Sequence, residues 1–263
     1  MAVDEMVSAD RLATEIKGFL YEVFSGIQGE GLLVGERQIF VRFSGCELHC
    51  AYCDTPAAQE RTNICLVEQT PGFGDFAIAQ NPMTGGEALS YVQRLETAPG
   101  LHHSVALTGG EPLTQSRFVG ILAREMKGRG LRLFLETNGE FPDRLPDVLP
   151  YTDIVSMDIK LPSATGGPDL LIQHEQFLRI AAGKDVYVKI VVTSTTSVDE
   201  LIEAVEMVRS VDAGIPLVLQ PVTPYRQIAP PSPQQVLDFQ ARCKGLLSNV
   251  RVIPQCHKIM NQR

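Results

Sequence analysis

The chain is short of positive charge. Its 263 residues carry 23 Lys and Arg against 31 Asp and Glu, a formal net charge of -8. That balance argues against a broad electrostatic grip on nucleic acid and leaves room only for a local basic pocket, so a small-molecule ligand is expected. A long apolar run is missing from the amino terminus: residues 1–17 mix acidic and basic side chains, unlike a signal peptide or a membrane span. Cysteine is scarce too. Three of the six cysteines crowd into one short stretch, which is not the even framework of a disulfide-stapled domain. What is present suffices for a full core, since 44% of the residues are hydrophobic and 21% charged.

Short β-branched runs alternate with segments of helical period, the pattern of repeated β-α units on a parallel sheet. Strands are expected at about 39–43, 104–107, 131–135, 153–157, 186–192, 216–220 and 250–253, and helices at 87–97, 115–127, 170–182, 197–211 and 233–247. Ser197 followed by Glu200 suggests a capping box, and Gly128 and Gly183 stop two helices. No long linker divides the series. The expectation is one α/β domain over 1–263, a partial or complete (β/α) barrel with its chemistry at the carboxyl ends of the strands. Residues 61–86, rich in turn formers such as Pro71-Gly72 and Asn81-Pro82, break the rhythm and are read as an insertion: a lid, an added hairpin or a surface loop without a role.

Directly after the run Ile39-Phe40-Val41-Arg42-Phe43 stands Cys46-Glu47-Leu48-His49-Cys50-Ala51-Tyr52-Cys53, a CxxxCxxC triplet in a loop spanning 44–55. A structural zinc site wants a fourth Cys or His at a suitable spacing; His49 sits between two of the cysteines, and Cys65, Cys243 and Cys256 are scattered. Three thiolates can instead grip one face of an iron-sulfur cube and leave one iron open to a ligand that is not protein. Free thiols and an oxygen-sensitive cluster fit a cytoplasmic setting. A second motif, Thr108-Gly109-Gly110-Glu111-Pro112, follows the strand at 104–107; paired glycines let backbone approach a ligand closely, and the strand end is where barrel ligands sit.

Together the two motifs resemble those of the radical S-adenosylmethionine enzymes. The resemblance implies a 4Fe-4S cluster on Cys46, Cys50 and Cys53, with the methionyl group of S-adenosyl-L-methionine on the open iron. Nearer the amino terminus, Phe24-Ser25-Gly26-Ile27-Gln28-Gly29-Glu30-Gly31, then Val41-Arg42-Phe43-Ser44-Gly45-Cys46 and Cys53-Asp54-Thr55, are similar to segments of the 7-carboxy-7-deazaguanine synthase family. That similarity runs from about 21 to 160 and returns at the carboxyl terminus.

The family resemblance implies a substrate site for 6-carboxy-5,6,7,8-tetrahydropterin made from Ile27, Gln28, Gly29, Glu30, Arg42, Thr108, His257 and Arg263. A substrate carboxylate suits the forked donors of an arginine, and a pterin edge suits an amide and a carboxylate. For a cation in an apolar run the other reading is a surface residue on an edge strand. The resemblance places S-adenosylmethionine on Tyr52, Cys53, Asp54, Gly109, Gly110, Glu111, Asp158, Ile159, Lys160 and Gln220, and assigns catalytic roles to Glu30 and Glu136. Asp158-Ile159-Lys160 stands where many members have Ser-Pro-Lys, so only the lysine matches. Thr55 is implied as a ligand of Mg2+; without the resemblance it reads as a turn cap. Gln220, before Pro221, otherwise reads as part of a proline-terminated strand, and His257 as a structural or surface residue.

The implied reaction removes a hydrogen from C6 of the pterin, contracts the ring and releases ammonia. Also implied are a one-electron donor such as flavodoxin and a homodimer, without nucleic acid or membrane partners. Two other readings remain at this point: an activating enzyme for a glycyl-radical protein, and an iron-sulfur protein without catalysis.

Overall fold

The computed structural model describes residues 16–263; residues 1–15, on which the reading of the amino terminus chiefly rests, lie outside the described residues. The first strands are β1 (Lys17–Gly18), β2 (Leu20–Ile27), β3 (Arg37–Phe43), β4 (Ile64–Glu68), β5 (Phe76–Gln80) and β6 (Met83–Thr84). Then come α1 (Gly85–Leu95), β7 (Ser104–Gly109), α2 (Ser116–Lys127), β8 (Leu133–Thr137), β9 (Ile154–Ile159), the short α3 (Pro162–Thr165) and α4 (Leu171–Ala181). The remainder is β10 (Asp185–Val192), α5 (Val198–Val211), β11 (Leu217–Pro221), α6 (Pro233–Lys244), β12 (Val250–Val252) and the single turn α7 (Cys256–Ile259). Ten strands form one sheet in the order β12-β11-β10-β9-β8-β7-β3-β2-β4-β5. From β3 to β12 every neighbouring pair is parallel. The ends β12 and β5 do not pair with each other, so the barrel is partial rather than complete.

All seven strands and all five helices expected from periodicity are present, with ends moved by a few residues. The amino-terminal half holds what alternation did not reveal. Strand β2 runs antiparallel to β3, with Val23 opposite Val41 and Ser25 opposite Ile39. Most of the stretch 61–86 forms a hairpin on the sheet edge: β4 pairs in parallel with β2, and β5 folds back on β4. Hydrogen bonding commits that backbone to the sheet edge, and Asn81 pins its end by donating to the carbonyls of Leu20 (2.7 Å) and Thr62 (3.0 Å).

Helix α1 begins two residues earlier than expected because Thr84 and Glu87 form a reciprocal capping box, as Ser232 and Gln235 do for α6. At α5 only half of the expected box exists. Ser197 accepts from the Glu200 N–H, but the Glu200 carboxylate turns away to accept from the Ser163 N–H at 2.9 Å.

The two faces of the sheet are buried against different partners. The helix side packs Leu107, Val119, Leu122, Leu135, Phe177 and Val205 into the larger core, each with almost no exposure. The concave side carries a smaller cluster of Phe24, Phe40, Ala106, Phe134, Ile154, Tyr187 and Val218. There Phe24 stacks on Phe40 (5.0 Å between centroids) and Phe134 on Tyr187 (6.4 Å). Burying each phenylalanine stabilises the floor by about 2 kcal/mol.

Side chains alternate along a strand, so the residue two positions beyond each floor residue faces the same way. Phe40 leads to Arg42, Ala106 to Thr108, Phe134 to Glu136, Ile154 to Ser156 and Asp158, Tyr187 to Lys189, and Val218 to Gln220. Six neighbouring strands thus present polar groups at their carboxyl ends, above an apolar floor.

Candidate active site

These polar ends open into a cavity of about 430 Å3, shared with the cysteine loop and the carboxyl-terminal residues. Of the site residues expected from the sequence, all but one line it. Ile159 does not: its side chain is buried in the helix-side core, because it alternates with Asp158 and Lys160, which face the cavity.

Cys46, Cys50 and Cys53 are free, partly buried thiols on the cavity wall. Burial pushes the Cys46 thiol up to about 12 and raises that of Cys53 as well. Neutral thiols with this placement gain their charge from a bound metal centre, which suits a cluster site. Cys65 and Cys243 are buried in β4 and α6, outside the cavity lining.

The glycine pair has a second task besides meeting a ligand. A Cβ on Gly110 would fall 2.3 Å from the Gly45 carbonyl oxygen and 2.7 Å from that of Ala58, so the turn can lie against the cysteine loop only without side chains. The N–H groups of Gly110 and Glu111 donate to the carbonyls of Phe43 (2.9 Å) and Gly45 (2.8 Å). With its N–H groups used within the protein, this turn can meet an ammonium through carbonyl acceptors. The Glu111 carboxylate is likewise engaged: one oxygen accepts from the Leu113 N–H and the Thr137 hydroxyl (both 2.9 Å), the other from the Asn138 N–H (2.7 Å). Burial, opposed by those hydrogen bonds, pushes this carboxyl up to about 7. Glu111 therefore ties the end of β7 to the end of β8.

Among the residues lining the cavity, several buried polar atoms have no hydrogen-bond partner: Ser156 Oγ, Asn138 Nδ2, Gln220 Oε1 and the Tyr52 hydroxyl. Unmet buried hydrogen-bonding groups lining a cavity mark where a polar ligand belongs. Gln220, at the end of β11, is 2% exposed and carries one of these unpartnered atoms. Asp158 accepts from Lys160 at 2.7 Å and lies 3.3 Å from Lys189. Burial would lower both ammonium groups, but the carboxylate of Asp158, foremost among their charged neighbours, holds both well above the usual lysine range.

Arg42 is interior, between β2 and β7, and not a surface cation on an edge. Its Nε donates to Glu22 at 2.8 Å and its Nη1 reaches Thr55 Oγ1 at 3.4 Å. Thr55 occupies the cap position of a short turn, yet its side chain caps nothing; the hydroxyl donates to Asp54 at 3.2 Å. Gln28 turns its amide inward, donating to Gln38 and accepting from the Glu30 N–H (both 3.0 Å), and so braces the loop that carries Glu30.

The carboxyl-terminal segment closes one side. The Cys256 N–H donates to the Gly29 carbonyl at 2.8 Å, and His257 packs so tightly on Gly29 that a Cβ there would fall 2.3 Å from Nδ1. His257 is buried, which lowers its basicity, and it stands 3.9 Å from Asp54. The Arg263 guanidinium pairs with Glu22 at 2.6 Å and covers the ring of Phe76. Glu30, Asp54 and His257 bring one atom each to within 4.8 Å of one another, an acidic corner of the kind that suits a divalent cation.

Two carboxyl groups are driven apart in basicity here. Burial would raise Glu30, but the ammonium of Lys189 and hydrogen bonds from Lys189 and Gln255 hold it at about 2. Burial raises Glu136, and Lys189 offsets this only in part. Such a split separates an anionic group from one able to carry a proton. Lys189, Gln255, Glu22 and Asn138 were not among the residues expected from the sequence. For Lys189 a signal existed: a lysine within the apolar run of β10, the same pattern that singled out Arg42.

The sequence profile of the Radical SAM superfamily matches residues 40–219. A 7-carboxy-7-deazaguanine synthase of Geobacter sulfurreducens is 42% identical over 92% of this chain and 97% of its own length. One from Thermococcus kodakarensis is 38% identical over 91% of this chain and 97% of its own. Among solved structures, QueE from Escherichia coli shares the fold with a TM-score of 0.62 at 22% identity, covering 92% of this chain and 96% of that one.

Proposed function

The chain belongs to the 7-carboxy-7-deazaguanine synthases of the radical SAM superfamily, and from that membership we propose how its cavity converts 6-carboxy-5,6,7,8-tetrahydropterin to 7-carboxy-7-deazaguanine with release of ammonia. One observation carries the residue assignment: the cysteine triplet, the Gly109-Gly110 turn, Arg42 and Glu30 all face one cavity. The activating-enzyme and scaffold readings give way to relatives aligned along nearly the whole chain.

When bound, the 4Fe-4S cluster and S-adenosylmethionine supply one-electron chemistry that starts with removal of a hydrogen from the substrate. Everything else falls to the chain. Carbonyls of the Gly109-Gly110 turn accept from the methionyl amine, while Asp158, Lys160, Gln220 and the Tyr52 hydroxyl meet the rest of the cofactor. Arg42, held by Glu22, presents its remaining guanidinium donors to the pterin carboxylate. Glu30 accepts from the N–H edge of the pterin, and Thr108 and His257 bound the ring. Glu136, the carboxyl raised by burial, is the group able to hold a proton close to the reacting ring. Side chains of the apolar floor beneath keep water from the reacting face.

The test is an anaerobic assay of reconstituted protein with a reductant, S-adenosylmethionine, Mg2+ and 6-carboxy-tetrahydropterin, reading the deazapurine chromophore. Absence of product with the cluster intact and the cofactor cleaved would remove the substrate assignment. In that assay Arg42→Ala is expected to keep its iron and weaken substrate binding by about ten- to a hundredfold, the loss expected for a charge-assisted hydrogen bond. Unchanged affinity would take the pterin carboxylate away from Arg42.

Mg2+ is assigned to Thr55 and the substrate, supported by a hydroxyl that caps no helix and stands beside Asp54. Thr55→Val is expected to abolish the response of turnover to added Mg2+, read as rate against metal concentration; an unaltered metal titration would refute the assignment. Resemblance extends as well to a homodimer, a donor such as flavodoxin and a cytoplasmic setting. A sedimentation mass of one chain would remove the dimer. Among the described residues no helix is long and apolar enough to cross a membrane.

A further inference from the structure

Glu30 is reached by two side chains from far along the chain. Lys189, 159 residues away on β10, donates its ammonium to Oε2, and Gln255, 225 residues away, donates to Oε1 at 2.7 Å. The same Gln255 amide nitrogen donates to Asp54 Oδ2 at 3.0 Å. Both donors are buried, at 6% and 8% exposure.

An ionised carboxylate offers two oxygens and about four acceptor directions. Here each oxygen gives one to the protein, so one remains on each. Left alone, the last torsion of a glutamate is broad and roughly two-fold, and the carboxylate would sample many planes. Two donors on opposite oxygens remove that freedom.

The donors are themselves fixed. Gln255 directly precedes Cys256, whose N–H is bonded to the Gly29 carbonyl, next to Glu30. Lys189 is set by Asp158, which also holds Lys160.

We propose that Lys189 and Gln255 are positioning residues that fix the plane of the Glu30 carboxylate, so that it presents one acceptor on each oxygen to two parallel N–H donors of a planar heterocycle. Only the name of that heterocycle, a pterin, rests on the function proposed above; the fixed plane does not. The second contact of Gln255, to Asp54 of the cysteine loop, fixes the Gln255 amide in turn.

In the reconstituted holoenzyme, Gln255→Leu is expected to raise KM for 6-carboxy-tetrahydropterin by about ten- to a hundredfold, the scale of a lost hydrogen bond to a charged group, with iron content unchanged. In a Glu30→Gln background, Gln255→Leu and Lys189→Met are each expected to change KM by less than about threefold further, because residues acting through one group are not additive. Lys189→Met/Glu30→Gln removes both charges together while Asp158 keeps Lys160, which guards against misfolding of the single Lys189→Met variant. An unchanged KM in Gln255→Leu, or the full effect persisting without the Glu30 carboxylate, would overturn the proposal.

A crystal structure of the Gln255→Leu variant gives a readout that does not depend on substrate. A Glu30 carboxylate turned from its place supports the role, and one left where it was overturns it. A wild-type enzyme that forms no deazapurine would instead count against the reaction, and the crystallographic comparison would still decide the positioning.

Discussion

Cys50→Ala is expected to abolish both iron retention and turnover. A 4Fe-4S cluster that must leave one iron open has only three protein thiolates to hold it, and two cannot keep the cube in place. Cys50 is partly buried on the cavity wall between Cys46 and Cys53, and Cys65 and Cys243, committed to β4 and α6, do not line the cavity to replace it. Cys243→Ala serves as the comparison: buried in the core, it should cost modest stability and retain the cluster. The measurement is iron and acid-labile sulfide per chain after anaerobic reconstitution, with cleavage of S-adenosylmethionine in the presence of reductant. A Cys50→Ala protein with full iron and normal cofactor cleavage would move the cluster elsewhere.

Gly110→Ala should be nearly as damaging, although it removes no ligand. The added methyl would overlap two backbone oxygens, those of Gly45 and Ala58, and backbone in a hydrogen-bonded loop cannot move aside as a flexible side chain can. Gly45 is bonded on both sides, accepting from the Glu111 N–H and donating to the Ala58 carbonyl, both at 2.8 Å. The strain therefore passes directly into the loop that carries Cys46. We expect cofactor cleavage to fall by at least about a hundredfold, as from a misplacement on the order of 1 Å in a reacting assembly. Gly86→Ala is the control: it lies in the first turn of α1 with open space around its would-be Cβ, so cleavage should be unchanged. Equal cleavage by both variants would mean that the turn does not shape the cluster loop.

Much of the scaffold was legible because local periodicity dictates it. The strand from Ile39 to Phe43 and the helix ending at Lys127 declare themselves through apolar spacing that holds whatever their neighbours are. Strand β2 was not legible in that way. It is buried on both faces, with Leu20, Val23 and Phe24 nearly inaccessible, and its Gly26, with Gln28 and Gly29 just beyond its end, reads as part of a motif rather than as a strand end. The hairpin β4–β5 was hidden among turn formers, and only its pairing with β2 reveals it as part of the sheet edge.

In the site, a residue's presence was easier to foresee than its partner. Arg42 stood out as a cation in an apolar run, but its bond to Glu22 follows from the antiparallel register of β2 on β3, where the two face each other. The resemblance placed Glu111 among the cofactor residues and it lines the cavity, but that its carboxylate accepts from Leu113, Thr137 and Asn138 follows only from the end of β8 lying beside the end of β7.

By itself the sequence determined the chemistry that adjacent residues can supply: three thiols at cluster spacing, a glycine pair after a strand, and a repeated β-α rhythm that stacks strand ends on one side. Tertiary structure alone decided how Glu30 is held. Its two donors come from 159 and 225 residues away, and their meeting depends on which strands are neighbours and where the carboxyl terminus returns. Periodicity repeats every two or three to four residues and carries no information over such separations. Contacts of that range exist only once the sheet has curved and its open end has been closed by the last turn of the chain.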